Sequence, residues 1–467
     1  MKKYRLITIG LCALTLTGCK SLKESLFKPY ERPEVNTKGI IRDNVSLTDT
    51  LVAKADSVTF GNMPWRSVFT DPLLQQHIQK ALDNNVDLLN AALNIQIAEA
   101  QLKAAKLAFL PQFAFSPQGT IASWDFSKPS KTYSLPLAAS WSADLFGNLL
   151  SQKRAAQVQL LGMQDYQVVV KTNIVAGVAN MYYTLLMLDK QVEILDSMTT
   201  LTKDTWDMMK LQMDLGRARS TSVQSAEANY YSVQTQRVDM LRQMREVENS
   251  LSLLMGQPAQ AIERGKLDNQ KLPSQFSTGV GIQLLANRAD VHYAEMNLAK
   301  CFYGIETARS RFYPSLTISP TAAFTNSGGG AVVNPGKVLL SAVGSLTQPI
   351  FMKGQLTAGL RVAEVQYEQA YNNWQNAVLK AGSEVGDALV LYNSSEEKIQ
   401  LEKKQVETLQ KNVEHTRMLF RNSSSSYLEV IGAQQSLLNA QISLVSDQFY
   451  KMQAVVNLYS ALGGGAN

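Results

Sequence analysis

The chain has 467 residues, with 45 Lys or Arg against 39 Asp or Glu, so its formal net charge is +6. This small positive excess does not indicate a nucleic-acid-binding protein. The only His residues, His77, His292 and His415, lack metal-ligand spacing. The sequence also lacks G-x-S-x-G and phosphate-loop motifs, so we expect no catalytic residues, no metal and no cofactor.

The N-terminus predicts an exported lipoprotein. Three basic residues precede an apolar run at 6–16 that is too short to span a bilayer. The following "LTGC" resembles the bacterial lipobox, which makes 1–18 a removed signal peptide and Cys19 the acylated first residue. The alternative is a plain secretory leader beside a chance or buried cysteine. With Cys19 acylated, Cys301 is the one remaining thiol, and no intrachain disulfide can form.

The remainder of the chain is internally duplicated. "FLPQFAFS" (109–116) is similar to "FYPSLTIS" (312–319), and their prolines are 203 residues apart. Gly147 corresponds to Gly354, and Gly256 to Gly463, each pair 207 residues apart. Landmarks that recur in the same order predict two repeats. The predicted segments are repeat 1 at 71–256, an inter-repeat equatorial segment at 257–282, repeat 2 at 283–463 and a tail at 464–467.

Repeat 1 begins with a helical segment that ends at a proline. Two segments follow, at about 112–124 and 132–145, that are predicted to be strands: apolar and hydroxyl side chains alternate in the second, and the first is a weaker version of the pattern. The proline-free stretch from Gly147 to Leu215 predicts a helix that would be about 100 Å long. After a hairpin tip near 216–222, apolar residues at heptad spacing predict a returning helix.

Repeat 2 has the same plan, with strands predicted at about 315–325 and 337–348 and a hairpin tip near 421–427. The stretch "FRNSSSSYLEVIGAQQ" (420–435) interrupts two coiled-coil seams with four serines. A solvated turn is the ordinary explanation of such an interruption. Helices as long as those predicted here must pack along partner helices.

The alternating segments raise the question of closure. Their lengths are near the ~10 residues with which a tilted strand crosses a membrane. A sheet in lipid must close so that every backbone group is paired, and the smallest barrels have about eight strands. Four strands in one chain are too few, so two, three or four copies would have to pool them. The alternative is a soluble sheet packed on the helices.

The order of these elements carries a family resemblance. The lipobox, the duplication and the sequence helix, two strands, long helix and returning helix resemble the TolC superfamily of outer-membrane efflux channels, in particular its OprM- and NodT-like lipoprotein branch. "LGRARSTSVQSAE" (215–227) is similar to the hairpin motif of the family's first repeat. "SYLEVIGAQQSLLNAQ" (426–441) is similar to that of the second.

The resemblance implies a mixed α/β membrane protein that works as a homotrimer. Three chains would contribute four strands each to a 12-stranded outer-membrane β-barrel, above a tunnel of α-helical coiled-coil hairpins. The lipidated segment 19–70 would pack along the tunnel exterior. The partners would be a periplasmic adaptor (membrane fusion) protein and an inner-membrane pump of the RND type. The implied function is the passive exit duct of a tripartite efflux system.

The resemblance also implies roles for residues of the tips. Glu429 occupies the family's first aspartate position, so three copies would form an acidic ring that favours cations. Tyr427, Arg217 and Arg219 would hold neighbouring hairpins closed at this periplasmic gate. Gly432 stands at the second aspartate position, which puts a second acidic ring in doubt. The predicted adaptor contacts are Gly216, Arg217, Ser222, Ser423, Ser424 and Ser425; the alternative for every tip residue is a solvated helix surface or turn.

Two other classes of protein are weighed against the channel. A coiled-coil lipoprotein scaffold, tethered by Cys19 and without a pore, explains the lipobox and the seams but gives the strands no role. A secreted enzyme has no recognisable catalytic motif in its favour. The sequence does not indicate the cargo, because drugs, metal ions and exported peptides pass through similar tunnels.

Overall fold

The structure is a computed structural model that describes residues 28–34, 63–123, 125–271, 288–325, 337–421 and 426–464. Its helices are α1 (Trp65–Val68), α2 (Pro72–Asn84), α3 (Val86–Leu107), α4 (Asn148–Asp214), α5 (Ser220–Leu254), α6 (Ala289–Ser310), α7 (Gln355–Arg421) and α8 (Tyr427–Ala461). Its strands are β1 (Gln112–Phe115), β2 (Gln118–Ala122), β3 (Ser130–Ala143), β4 (Ser315–Thr325) and β5 (Lys337–Thr347). The predicted combination of long helical hairpins with a small amount of β-structure is confirmed.

The chain divides into two compact units. The sheet unit comprises the described parts of residues 1–35, 93–164 and 293–376. The hairpin unit comprises the described parts of 36–92, 165–292 and 377–467. Among the helices described, none combines enough length with enough apolar character to cross a membrane.

The two repeats have matching helices. α4 and α7 have 67 residues each and begin 207 residues apart, and α5 and α8 have 35 residues each at the same separation. α3 and α6 have 22 residues each, but they begin 203 residues apart. The separation changes from 203 to 207 between these helices, so the four additional residues of repeat 2 lie in its strand region.

The last helix of each repeat ends at a glycine with positive φ. α5 is followed by Gly256 at φ 67°, and α8 by Gly463 at φ 84°. The N–H of Gln257 donates to the Ser252 carbonyl oxygen at 2.9 Å, which closes a Schellman motif. A Cβ at Gly256 would lie 2.7 Å from the Asn84 carbonyl oxygen, so this position requires glycine for space as well as for φ.

All strand pairs of the sheet are antiparallel. β3 pairs with β1 and β2 along one edge and with β4 along the other, and β4 pairs with β5. The β3–β4 pair joins the two repeats and includes the partners Leu137 and Ala322. The predicted single strand at 112–124 is two strands in the structure, separated by Ser116 and Pro117. Pro117 has no N–H to donate to the ladder, so the strand is interrupted there.

The core of the hairpin unit surrounds two adjacent tyrosines of α4, Tyr182 and Tyr183, both fully buried. The hydroxyl of Tyr182 donates to Asp71 Oδ2 at 2.7 Å and accepts from the N–H of Gly265 at 2.9 Å. Asp71 caps α2 by accepting from the N–H of Leu73 at 2.9 Å. One hydroxyl therefore connects α2, α4 and the segment that follows α5.

Arg264 is the centre of a largely buried ion-pair network in the hairpin unit. Its guanidinium donates to the Asp189 carboxylate at 2.5 and 2.9 Å and to Glu248 Oε1 at 2.7 Å. The side chain of Glu248 is buried, and that of Arg264 nearly so. Carboxylate hydrogen bonds hold the pKa of Arg264 above its ordinary value, against the opposing effect of burial.

We expect Arg264→Gln to destabilise the protein by about 3 kcal/mol, because it removes the nearly buried charged partner of the buried Glu248 carboxylate and leaves only the exposed Arg245, at 3.7 Å. The thermal unfolding midpoint in detergent, followed by circular dichroism, measures this loss. The matched control is Arg242→Gln, which removes an exposed pair with Glu246 and should change stability by less than about 1 kcal/mol. Equal midpoints for the two variants would contradict the structural role of Arg264.

Candidate functional site

The strand register places apolar side chains of every strand on one face of the sheet. Leu137 lies opposite Phe115 on β1 and opposite Ala322 on β4, and Ala322 lies opposite Leu340 on β5. These residues define what we call the apolar face. Its larger side chains are exposed or half-buried in the single chain: Phe113, Phe115, Ile121, Tyr133, Leu135, Leu137, Trp141, Leu316, Ile318, Phe324, Leu340 and Leu346.

The opposite face carries mainly hydroxyl groups. Ser134 pairs with Thr325, and Thr321 pairs with Ser341, so the hydroxyl side chains also align across strands. We call this the hydroxyl face; its members include Thr120, Thr132, Ser140, Ser142, Ser315, Thr317, Ser319, Ser345 and Thr347. A sheet with one apolar and one hydroxyl face separates an apolar medium from a polar one.

Both outer edges of the sheet are unpaired within the part of the chain that the structure describes. No described strand pairs with the free side of β5, or with the free sides of β1 and β2. Such edges present rows of backbone N–H and C=O groups that require partners in an apolar environment. The described part of the chain is therefore an open segment of sheet.

The first hairpin tip is a tight turn in the hairpin unit. Gly216, at φ 74°, ends α4, and the N–H of Arg217 donates to the Gln212 carbonyl oxygen at 2.7 Å. Arg219 precedes α5 as its N-cap residue but makes no side-chain cap bond. Ser222 is half-buried in the first turn of α5. Arg217 and Arg219 are exposed and contact no carboxylate among the described residues, so their ion pairs with a neighbouring hairpin stay a prediction.

The two tips pack on each other through an apolar cluster. Phe420 of α7 and Val430 of α8 are buried together with Met209, Val223 and Ala226 of the first hairpin. Partly buried residues surround this cluster, namely Trp206, Met208, Ala218 and Tyr427. The predicted gate residue Tyr427 therefore lies against the packing core of the tips in this single chain.

Glu429 lies in the first turn of α8, where the structure assigns it a local role that the sequence analysis missed. The N-cap residue Ser426 accepts from the N–H of Glu429 at 3.4 Å. Ser-x-x-Glu at this position is a capping box, and a carboxylate here is favoured by the helix dipole. The motif is visible in "SYLE" (426–429), so sequence inspection could have found it. The side chain of Glu429 is exposed, which leaves it accessible to an aperture.

Other predicted site residues lie outside the described part of the chain. These are the lipid-attachment residue Cys19 and the tip serines Ser423, Ser424 and Ser425.

Two polar contacts near the tips connect α4 with the second hairpin. Gln434 is 1% exposed, and its Nε2 donates to Thr205 Oγ1 at 2.9 Å. Arg417 Nη2 lies 3.4 Å from Asp204 Oδ2. The sequence analysis singled out neither pair, although a Gln within an apolar seam indicates a buried polar contact. These contacts set the relative position of the two hairpins near their ends.

A carboxyl pair lies between α7 and α8. Asp447 is 3% exposed and accepts from Lys398 Nζ at 2.6 Å. Burial, together with a hydrogen bond and charge repulsion from Asp447, raises the pKa of the half-buried Glu402 to about 7, while Lys398 lowers it. The sequence does not reveal this pair, because the pair depends on which residues of two helices face each other.

No group of three or more His, Cys, Asp or Glu side chains among the described residues has an arrangement that would hold a metal ion. The free thiol of Cys301 is partly buried, and burial raises its pKa. The described geometry is that of a two-faced sheet and of two hairpin tips packed on each other.

Comparison with known proteins agrees with this geometry. Residues 77–257 and 281–464, which together form more than half of the chain, match the family model of outer membrane efflux proteins. The chain is 28% identical to the cation efflux system protein CusC of Escherichia coli K12 over 464 residues, covering 97% of this chain and 98% of CusC. It is 25% identical to the probable outer membrane lipoprotein SilC of Salmonella typhimurium over 472 residues, with 100% and 99% coverage.

Solved structures show the same fold. A crystal structure of CusC is 26% identical to this chain, with a TM-score of 0.77 over 86% of this chain and 95% of CusC. The open-state outer membrane channel MtrE of Neisseria gonorrhoeae has a TM-score of 0.80 over 94% of this chain and 98% of MtrE. At 24% identity, the likeness to MtrE concerns the fold alone.

The carboxyl pair predicts a pH-dependent stability. The pKa of Glu402 rises from its ordinary value of 4.5 to about 7 on folding, so the folded state binds this proton more tightly than the unfolded state. Protonated Glu402 therefore contributes fully to the stability of the folded state below about pH 4.5, and this contribution is lost as the pH rises through 7. We expect Glu402→Gln to raise the thermal midpoint at pH 8 and to change it little at pH 4.5.

The control is Glu397→Gln, because Glu397 is exposed and one residue from Lys398. It should shift the midpoints at the two pH values equally. A Glu402→Gln midpoint that equals the wild-type value at pH 8 would contradict the carboxyl pair.

Proposed function

We infer the function from one premise, which is that this chain belongs to the family of outer membrane efflux proteins. It is therefore an efflux protein of the outer membrane, and the alternative of a scaffold without a pore is not supported. The family consists of transport proteins rather than enzymes. We propose that the chain is the exit duct of a tripartite system and conducts passively what an inner-membrane pump expels.

The observation that carries this proposal is the continuous apolar face on a sheet with two unpaired edges. The 11 residues of β4 extend for about 37 Å at ~3.4 Å per residue, or about 28 Å along the normal at a tilt of ~40°. The apolar band of outer-membrane barrels is about 25 Å tall. The apolar face would contact lipid, and the hydroxyl face would line the water-filled lumen.

We propose three copies per channel. β1 and β2 follow each other along the same edge of β3 and together count as one barrel strand, so each chain supplies four. At least two chains are therefore needed to reach the minimum of about eight strands. The family resemblance favours three, which gives a 12-stranded barrel. The unpaired edge of β5 would then pair with β1 and β2 of the next copy.

We propose that Cys19 carries the lipid and that the segment after it packs on the outside of the sheet unit. The described residues 28–34 support this placement, because Arg32 forms an ion pair with Glu295 of α6. In addition, the N–H of Tyr30 donates to the hydroxyl of Tyr303 at 3.2 Å. Lys28 is nine positions after Cys19, so the acylated residue would lie within ~32 Å of Lys28.

The proposed partners bind at the hairpin tips. A periplasmic adaptor protein would contact Gly216, Arg217, Ser222 and the tip serines Ser423–Ser425, and an RND-type pump would supply the energy. The relatives are named for different cargoes: CusC for cations, and the outer membrane protein TtgC of a Pseudomonas putida strain, 26% identical, for toluene. A cargo for this chain does not follow from such similarity.

A charged substitution on the apolar face tests whether this face contacts lipid. We expect Leu340→Arg to reduce the yield of heat-modifiable oligomer in outer-membrane fractions at least tenfold, because Arg on the lipid face costs about 2–4 kcal/mol near the midplane. Leu340 is 75% exposed in the single chain, so the substitution has no buried packing to disrupt there.

The matched control is Ser341→Arg, at the adjacent position on the hydroxyl face, which is also exposed. This variant should assemble and conduct in planar bilayers. If Ser341→Arg fails to assemble while Leu340→Arg assembles normally, the two faces are assigned in the wrong order.

The proposed acidic ring at the mouth is tested with Glu429→Gln, which removes the charge but keeps the Ser-x-x-Gln capping box. We expect this variant to lower the ratio of cation to anion permeability, measured as the reversal potential in a KCl gradient across a planar bilayer. Its thermal midpoint should fall only slightly, since the cap is preserved and the charge at this exposed helix end contributes about 0.3–1 kcal/mol.

Glu414→Gln is the control for an exposed carboxylate elsewhere on the second hairpin, and it should leave the reversal potential unchanged. A Glu429→Gln channel with the wild-type reversal potential would remove Glu429 from the constriction and leave it with its role in the helix cap alone.

A further inference from the structure

The connections between strands and helices of the sheet unit lie together at one end of the sheet. Three contacts join them: Trp141 Nε1 donates to the Phe109 carbonyl oxygen at 3.0 Å, Gln348 Nε2 donates to the Phe312 carbonyl oxygen at 3.0 Å, and the rings of Phe146 and Tyr313 stack with centroids 4.9 Å apart. We call these connections, with the adjoining helix turns, the junction band. It comprises residues 103–111, 144–154, 306–314 and 348–361.

The junction band has a strong excess of positive charge. It contains eight Lys or Arg residues and two carboxylates, Asp144 and Glu306. Asp144 accepts from the backbone N–H groups of Leu149 and Leu150 at 3.1 and 2.8 Å, so its charge is used to cap α4. Glu306 is buried and pairs with Arg309 at 2.9 Å. Neither carboxylate is therefore free to neutralise the other cations.

Five cations of the junction band have no ion-pair partner within the residues that the structure describes: Lys103, Lys106, Lys153, Arg311 and Lys353. All but Lys153 are exposed. Unpaired like charges close to one another repel, and the field that they create attracts an anionic partner from outside the chain.

The same band exposes large apolar side chains. Ile350 is 95% exposed and Phe351 is 81% exposed, three and two residues before Lys353 in the sequence. Leu107 and Leu110 are exposed beside Lys106. Apolar and basic side chains interleaved in this way are typical of protein surfaces at the boundary between hydrocarbon and anionic headgroups.

We propose that the junction band binds the anionic headgroups of phospholipids in the inner leaflet of the outer membrane. This inference rests on the proposed function, because the apolar face must lie in lipid for the band to lie at the boundary. The strands end and the helices begin at the band, so it faces the periplasmic leaflet. Its charge is complementary to a phosphate-rich, negatively charged surface, and its exposed apolar side chains lie among these cations in the sequence.

The experiment uses the full-length acylated oligomer in nanodiscs made of equal parts phosphatidylethanolamine and phosphatidylglycerol. The band variant is Lys106→Gln, Arg311→Gln and Lys353→Gln combined. The control variant combines Lys80→Gln, Lys203→Gln and Lys404→Gln, which remove the same charge from exposed positions of the hairpin unit. Native mass spectrometry of the released oligomer counts the lipids of each class that stay bound.

Each cation near an anionic surface contributes about fivefold to binding, so we expect the band variant to retain at least tenfold less phosphatidylglycerol than wild type. Retained phosphatidylethanolamine should be unchanged, and the control variant should behave as wild type. Retention of phosphatidylglycerol by wild type should also fall between 0.05 and 0.5 M NaCl, because salt screens exposed charges.

Equal retention of the two lipids by wild type, or retention independent of salt, would overturn the inference even if the band variant does not assemble. A band variant that loses its oligomer but keeps its phosphatidylglycerol would assign the band to contacts between copies and would overturn it as well. Conductance of the same wild-type preparation separates the two proposals. A conducting channel without lipid preference defeats this inference alone, whereas a failure to conduct defeats the proposed function.

Discussion

The need to pair backbone hydrogen-bonding groups in hydrocarbon is the constraint on which the proposed architecture depends. The sheet has an apolar face suited to lipid, but β5 on one side and β1 with β2 on the other have no strand partner among the described residues. Each unpaired N–H or C=O in lipid costs several kcal/mol. On the proposed architecture a single copy would not be stable in a membrane, and edge-to-edge association of copies would satisfy these groups. Oligomerisation and membrane insertion are, on this account, one event.

The same physical logic explains the composition of the two units. The hairpin unit buries its tyrosines and its Arg264 network within one chain, and it gains its stability from that packing. The sheet unit leaves large side chains such as Phe113 and Leu340 exposed. In water this exposure would be an aggregation hazard. Lipid and neighbouring copies would cover these side chains, while the hydroxyl face would remain hydrated.

The sequence predicted the parts of the fold that repeat over long distances. Periodicity and the spacing of Gly256 and Gly463 identified the duplication, because helix length and the positive φ after each helix are imposed by local chemistry.

The interruption at Pro117 was missed even though proline is a strand breaker, since alternation on both sides of it looked continuous. The pair of Glu402 and Asp447 could not be predicted, because it depends on which residues of two helices face each other. The cap at Ser426 was predictable from "SYLE", but the family motif directed attention to a gate. The roles of the tip residues and of Cys19 stay predictions.

The central claim is that the edge of β5 in one copy pairs with the edge of β1 and β2 in the next. The most direct measurement is disulfide cross-linking in outer-membrane fractions, with one cysteine at Thr120 on β2 and a second placed in turn at Ser341, Ser345 and Thr347 on β5. The account predicts that at least one position yields covalent oligomers up to the trimer, and that each single cysteine alone yields none. If the protein is present in the membrane and no position gives a cross-link, the shared sheet is contradicted.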